Sequence, residues 1–166
     1  EYSDQELKHA SKNGWAWVTS TIDSFGFGID PMQSQFGCHN SLDIDSNDNL
    51  HVSYTNYNID FGSLKYATYD GNSWTKTVIE SMDTPTDSMP YSYADTSILL
   101  DFNGQVHISY HNLQLGELKY VTNDGNYWIN STIDDGSSID LITDRDDDGH
   151  SSLALDSYGN LYASYV

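Results

Sequence analysis

One phrase occurs three times in this chain and leaves it few possible folds. Ser41-Leu42-Asp43-Ile44-Asp45 leads into Leu50-His51-Val52-Ser53-Tyr54. Ser97-Ile98-Leu99-Leu100-Asp101 leads into Val106-His107-Ile108-Ser109-Tyr110, and Ser152-Leu153-Ala154-Leu155-Asp156 into Leu161-Tyr162-Ala163-Ser164-Tyr165. The closing tyrosines stand 56 and then 55 residues apart. Two further phrases keep the same beat. Leu7-Lys8-His9-Ala10 is matched by Leu64-Lys65-Tyr66-Ala67 and Leu118-Lys119-Tyr120-Val121. A glycine and then a tryptophan follow each time, as Gly14 and Trp17, Gly71 and Trp74, Gly125 and Trp128. A fixed period of this size means one supersecondary unit stacked on copies of itself.

Each unit reads as four short strands. Leu50, Val52 and Tyr54 alternate with His51 and Ser53, as Leu64, Tyr66 and Thr68 do with Lys65 and Ala67. That is the period of two of a half-buried strand. Asn- and Gly-bearing turns separate the strands at 46–49, 102–105 and 157–160, and again at 70–72 and 124–126; such residues supply the positive φ of tight hairpins. No stretch carries a helical stripe. Four antiparallel strands every ~55 residues predict β-propeller blades. Naming the strands A to D, the expected spans in the first full unit are 41–45, 50–54, 64–68 and 74–79. The apolar runs Ile98-Leu99-Leu100 and Leu153-Ala154-Leu155 place A innermost and buried on both faces. Trp17, Trp74 and Trp128 are expected to pack between neighbouring blades.

These phrases resemble the tandem repeats of secreted and surface proteins of bacteria and archaea, loosely similar to the Asp-box and sialidase-like propellers. The resemblance spans about residues 6–166 and implies an all-β propeller fold, with an extracellular or cell-surface location. The repeats divide as about 6–60, 61–114 and 115–166 within a single partial propeller domain. The chain starts in a C strand and stops in a B strand, so its phase is CD-ABCD-ABCD-AB. Three blade-equivalents fall short of the roughly four to eight of a closed propeller. Either two chains close a six-bladed ring or the repeats belong to a longer array.

Charge narrows the partners. Six Lys plus Arg against 25 Asp plus Glu give a net charge of −19. That disfavours nucleic acid, whose affinity rests on basic groups neutralising phosphates, and anionic membrane as well. It suits cations, salty surroundings or plain solubility. The single cysteine, Cys38, forms no internal disulfide, and no apolar run is long enough to insert in a membrane.

Chemistry is expected on the unrepeated D-to-A loops, roughly 23–40, 80–96 and 134–151, because variable loops on a rigid scaffold carry function. Asp144, Asp146 and Asp148 before Gly149 resemble the alternating carboxylates of calcium loops, with Asp140 as helper. Position nine is Ser152 and position twelve Leu155, so the shell departs from an EF-hand, and the other reading is a solvated acidic loop. Aligned two residues before strand A stand His39, Asp95 and His150. Two imidazoles and a carboxylate suit a transition metal; alternatively they line a wet channel mouth, where adjacent inner strands leave a wide gap for one ion. Tyr57, Tyr91 and Tyr93 are the aromatics expected to meet a glycan or protein ligand. His51 and His107 give way to Tyr162 in the third copy, which marks them as structural. Lys8, Lys65 and Lys119 are expected to pair with acidic neighbours.

Arg145 is the sole arginine, which removes the arginine clamp of a sialidase. The expectation is a non-catalytic binding or structural module, with a glycoside hydrolase using paired carboxylates as the alternative.

Overall fold

The computed structural model describes residues 5–25, 39–57, 61–83, 93–112, 115–123, 125, 127–136 and 149–166. Among these residues there are twelve strands in four antiparallel sheets and no helix. β1 (Gln5–Asn13) and β2 (Ala16–Phe25) form a two-stranded sheet. The second sheet runs β3 (Asn40–Ile44), β4 (Leu50–Tyr57), β5 (Phe61–Tyr69) and β6 (Trp74–Asp83), each strand paired to the next. The third repeats that order with β7 (Tyr93–Leu100), β8 (Val106–Asn112), β9 (Glu117–Asn123) and β10 (Trp128–Asp134). β11 (Ser151–Leu155) and β12 (Leu161–Tyr165) form the last pair. The sheet boundaries fall where the phase of the repeat puts them.

Local chemistry closes each A–B hairpin in the same way. Asp45 Oδ1 accepts the N–H groups of Asn47 and Asn49 at 2.8 and 2.9 Å. Asp101 does this for Asn103 and Gln105, and Asp156 for Tyr158 and Asn160. The turn between them needs a left-handed residue, filled by Gly104 and Gly159 and, in the first copy, by Asp48 at φ 64°. Asp tolerates that conformation better than most side chains.

Each sheet docks on the next through its apolar face. Ile22 of β2 packs with Val52, Tyr54 and Ala67 of the second sheet. Leu64 of β5 packs with Ile98, Ile108, Tyr110 and Val121 of the third. Trp74 stands edge-on to His9, and Trp128 edge-on to Tyr66 with ring centroids 5.1 Å apart. Both tryptophans therefore lie between sheets, as expected. Trp17 does not: it is 66% exposed, because no described element covers that face of β1–β2.

Strand A also needs correction. β7 is covered on both faces, lying between β3–β4 and β11, but Leu42 of β3 is 47% exposed and β11 buries only Leu153. The apolar run is buried on both sides only where a sheet stands on each side.

Candidate functional site

A polar clasp recurs at every sheet junction. Tyr54 Oη donates to Asp23 of β2 at 2.9 Å, Tyr110 Oη to Glu80 of β6, and Tyr165 Oη to Asp134 of β10 at 2.7 Å. Lysine joins the first two, Lys65 at 3.2 Å from Asp23 and Lys119 at 3.5 Å from Glu80; Lys76 also reaches Asp23, at 2.6 Å. Lys8 pairs with Glu6. The three carboxylates are aimed by one backbone device. Pairing slips by one residue at Ile22, Ile79 and Ile133, so that Leu7 faces Asp23, Leu64 faces Glu80 and Leu118 faces Asp134. A bulge turns the following side chain out of the regular alternation, here toward the tyrosine of the next sheet. Burial raises the Asp23 carboxyl, but Lys76, Lys65 and the Tyr54 hydroxyl outweigh it and hold it below its usual value. Burial, with the Asp23 charge, pushes the Tyr54 phenol well up. These groups are consumed by docking.

The histidines of the B strands are likewise structural. His51 Nδ1 shares a hydrogen bond with Tyr66 Oη, and His107 Nδ1 one with Tyr120 Oη, while their other nitrogens face Asp45 and Asp101. Burial lowers the His107 pKa against the opposing pull of Asp101. In the third copy Tyr162 donates to Asp156 at 3.2 Å, so a tyrosine takes over the contact to the turn aspartate.

One set of polar side chains stands outside this repetition, at the end of the sheets where β3, β7 and β11 begin. His39 Nδ1 is 3.5 Å from Asp95 Oδ1, and His150 Nδ1 is 3.7 Å from Asp95 Oδ2. The two imidazole rings meet edge-on at 5.8 Å. One donor atom from each residue lies within 4.8 Å of the others, closer than the sequence reading allowed for adjacent inner strands. The backbone fixes the placement. Thr55 N–H donates to the His39 carbonyl and Val166 N–H to that of His150, extending two ladders by one rung. Asp95 sits in the register break between Tyr93 and Thr96, where its Oδ2 accepts Ser151 N–H at 2.9 Å. Thr96 holds the strand by donating to Ser53 at 3.0 Å. Gly149 has φ 55°, and a Cβ there would stand 2.9 Å from His111 Nδ1, so this left-handed, close entry into β11 favours glycine. His39 and Asp95 are mostly covered, while His150 is 63% exposed.

Tyr57 closes β4 and Tyr93 opens β7, at this same end of the sheets. Tyr91, Asp140, Asp144, Asp146 and Asp148 lie outside the described residues. The clasp carboxylates escaped the sequence reading, although a signal was present. Ile22-Asp23, Ile79-Glu80 and Ile133-Asp134 precede their tyrosines by a near-constant offset: 31, 30 and 31 residues separate carboxylate from tyrosine.

Neither a protein-family model nor a curated protein matches the chain. Among solved structures, a fucose lectin from Kordia zhangzhouensis in complex with methyl-fucoside is similar with a TM-score of 0.46 and 15% sequence identity. The likeness covers 76% of this chain and 81% of that one. At that distance it assigns neither a ligand nor a site here.

Proposed function

We propose that the chain is a non-catalytic binding module built of β-propeller blades, which contacts a glycan or protein ligand through its D-to-A loops in an extracellular setting. One observation carries the reading. The three long connections, 26–38, 84–92 and 137–148, rejoin the described structure at a single place, where His39, Asp95 and His150 converge. Repeated positions are spent on turns and clasps, so the unrepeated loops are the part of the chain left to recognise something. Tyr57 and Tyr93 stand at the same end, Tyr91 is two residues before Tyr93 in sequence, and tyrosines supply rigid aromatic area at low entropic cost. Calcium at Asp144, Asp146 and Asp148, with Asp140, is part of this proposal on sequence grounds.

The blade reading extends to assembly. β11–β12 supplies strands A and B, and β1–β2 supplies strands C and D. Among the described residues neither β12 nor β1 has a partner on its outer edge. Exposed strand edges template further pairing. Two copies related by a two-fold axis would complete two blades in trans and close a six-bladed ring; further repeats would do the same in cis.

A glycan array and a panel of chromogenic glycosides test the functional reading together. Binding that falls when Tyr91 and Tyr93 are changed to alanine, with no turnover of any glycoside, supports it. Turnover abolished by one Asp or Glu substitution overturns it in favour of a two-carboxylate hydrolase.

A further inference from the structure

We infer that His39, Asp95 and His150 form a binding site for one divalent transition ion of the zinc class, tying together the innermost strands of three sheets. The site lies where the long connections rejoin the sheets, but the inference does not depend on the ligand reading.

The spacing is the first argument. Direct hydrogen bonds from nitrogen to oxygen measure about 2.7–3.2 Å. The imidazole nitrogens stand 3.5 and 3.7 Å from the Asp95 oxygens, beyond that range yet drawn to one point. With metal–ligand bonds of about 2.0–2.2 Å, neighbouring donors of a tetrahedral shell sit about 3.3–3.5 Å apart. One donor atom from each of the three residues lies within 4.8 Å of the others, so the set has to draw closer to share one ion, and His150 is the most exposed of the three.

The donor set is the second argument. Two imidazoles and a carboxylate suit zinc and its neighbours, whereas calcium and magnesium require oxygen. Three protein ligands with one side open to solvent leave a fourth position for water or a ligand atom. The carboxylate is also held from behind, since Asp95 Oδ2 accepts the Ser151 N–H; bonds of that kind orient metal ligands and raise affinity.

Placement is the third. In the complete repeats the polar positions serve the docking of neighbouring sheets, and this trio is built from three separate sheets at one aligned position. His39 precedes β3, Asp95 lies in β7, and His150 precedes β11. An ion there crosslinks the two-stranded end sheet to both four-stranded ones. Among the described residues the polar contacts of β11–β12 with the third sheet are Asp95 with the Ser151 N–H, Ser109 with Ser151, Ser97 with the Leu153 N–H, and Tyr165 with Asp134.

The test is a zinc titration of the chelator-treated chain by calorimetry, in excess magnesium so that oxygen-only sites are filled. Cobalt is the second probe, because its visible absorption reports nitrogen and oxygen ligation directly. One ion per chain is expected, with amide exchange slowed across β11 and β12 on binding. His39→Gln and His150→Gln should each weaken binding by at least about tenfold. Asp95→Asn should do the same while keeping an oxygen for Ser151 N–H, so it separates loss of the ligand from loss of the fold. His9→Gln, on a distant sheet, should leave binding unchanged. Circular dichroism confirms that each variant is folded. No zinc or cobalt uptake by the folded wild-type chain overturns the site. So does unchanged affinity in the His39→Gln/His150→Gln double variant.

Discussion

The two four-stranded sheets and the two two-stranded ones are written in the same phrases yet bury them differently. Tyr54 and Tyr110 are 1% and 0% exposed, while Tyr165, their third copy, is 41% exposed. Trp74 and Trp128 pack against a neighbouring sheet and Trp17 does not. Coverage can also differ within the four-stranded class, since Leu42 and Ile98 occupy the same position in its two members and only Ile98, with a sheet on each side of β7, is buried. The repeat thus specifies which side of a strand is prepared for burial. Whether burial occurs depends on a neighbour, supplied by another copy of the unit.

The largest effect expected from this contrast is at the tyrosines. Tyr110→Ala removes a fully buried ring and strands Glu80 beside Lys119, so it should cost about 3–5 kcal/mol. Tyr165→Ala should stay within about 0.5 kcal/mol, the usual range for a surface change. Urea unfolding of both variants measures the difference. If Tyr165→Ala costs as much as Tyr110→Ala, the end sheet is covered in solution, and the two classes of sheet differ less than the isolated chain suggests. Light scattering then decides whether a second copy provides the cover. A stable folded monomer at micromolar concentration would defeat assembly in trans.

A smaller gap is expected at the carboxylates. Asp23→Asn leaves Lys65 and Lys76 facing a neutral amide at a junction where Asp23 is itself buried. It should cost about 1–3 kcal/mol, the range for losing a charged hydrogen-bond partner. Asp134→Asn keeps an oxygen for the Gly136 N–H and loses the charge facing one exposed tyrosine hydroxyl, so it should cost less than about 0.5 kcal/mol. Equal costs, read as shifts in the urea midpoint, would mean that the clasp is as important at the end sheet as within the stack.

What the sequence revealed follows the same division. Turns, strand order and phase depend on residues close in the chain, so Asp45, Asp101, Asp156 and the alternation of β4 were legible. The lysine pairings were legible in kind, but their partners were not. Asp23 and Glu80 belong to the preceding sheet, and only a bulge brings them round. His39, Asp95 and His150 were found because alignment of the repeats put them at one position. Their closeness was not, because it depends on how tightly the A strands of neighbouring sheets approach. The exposure of Trp17 was missed because a repeat pattern shows the docking face and not the missing neighbour.

The smallest expected effect is one that should not distinguish the two kinds of sheet. Hydrogen bonds from the Asn49 side chain and from the Asn49 and Asn47 N–H groups, with help from His51, hold the Asp45 carboxyl down to about 2. Asp156 is lowered in the same way, by Asn160 first and then the Tyr158 N–H and Tyr162. An unfolded aspartate titrates near 3.9. Between those values the unfolded chain binds more protons than the folded one, so stability rises with pH there. The contribution is complete above about pH 4 and is lost as pH falls toward 2. Asp45→Asn should flatten that part of the acid slope in urea midpoints taken from pH 5 downward, and Asp156→Asn should flatten it as well. Both turns are closed by bonds within four residues, which need no neighbouring sheet. If only Asp45→Asn flattens the slope, the end hairpin is not closed in solution. The division between local turns and neighbour-dependent faces would then have to be redrawn at β11–β12.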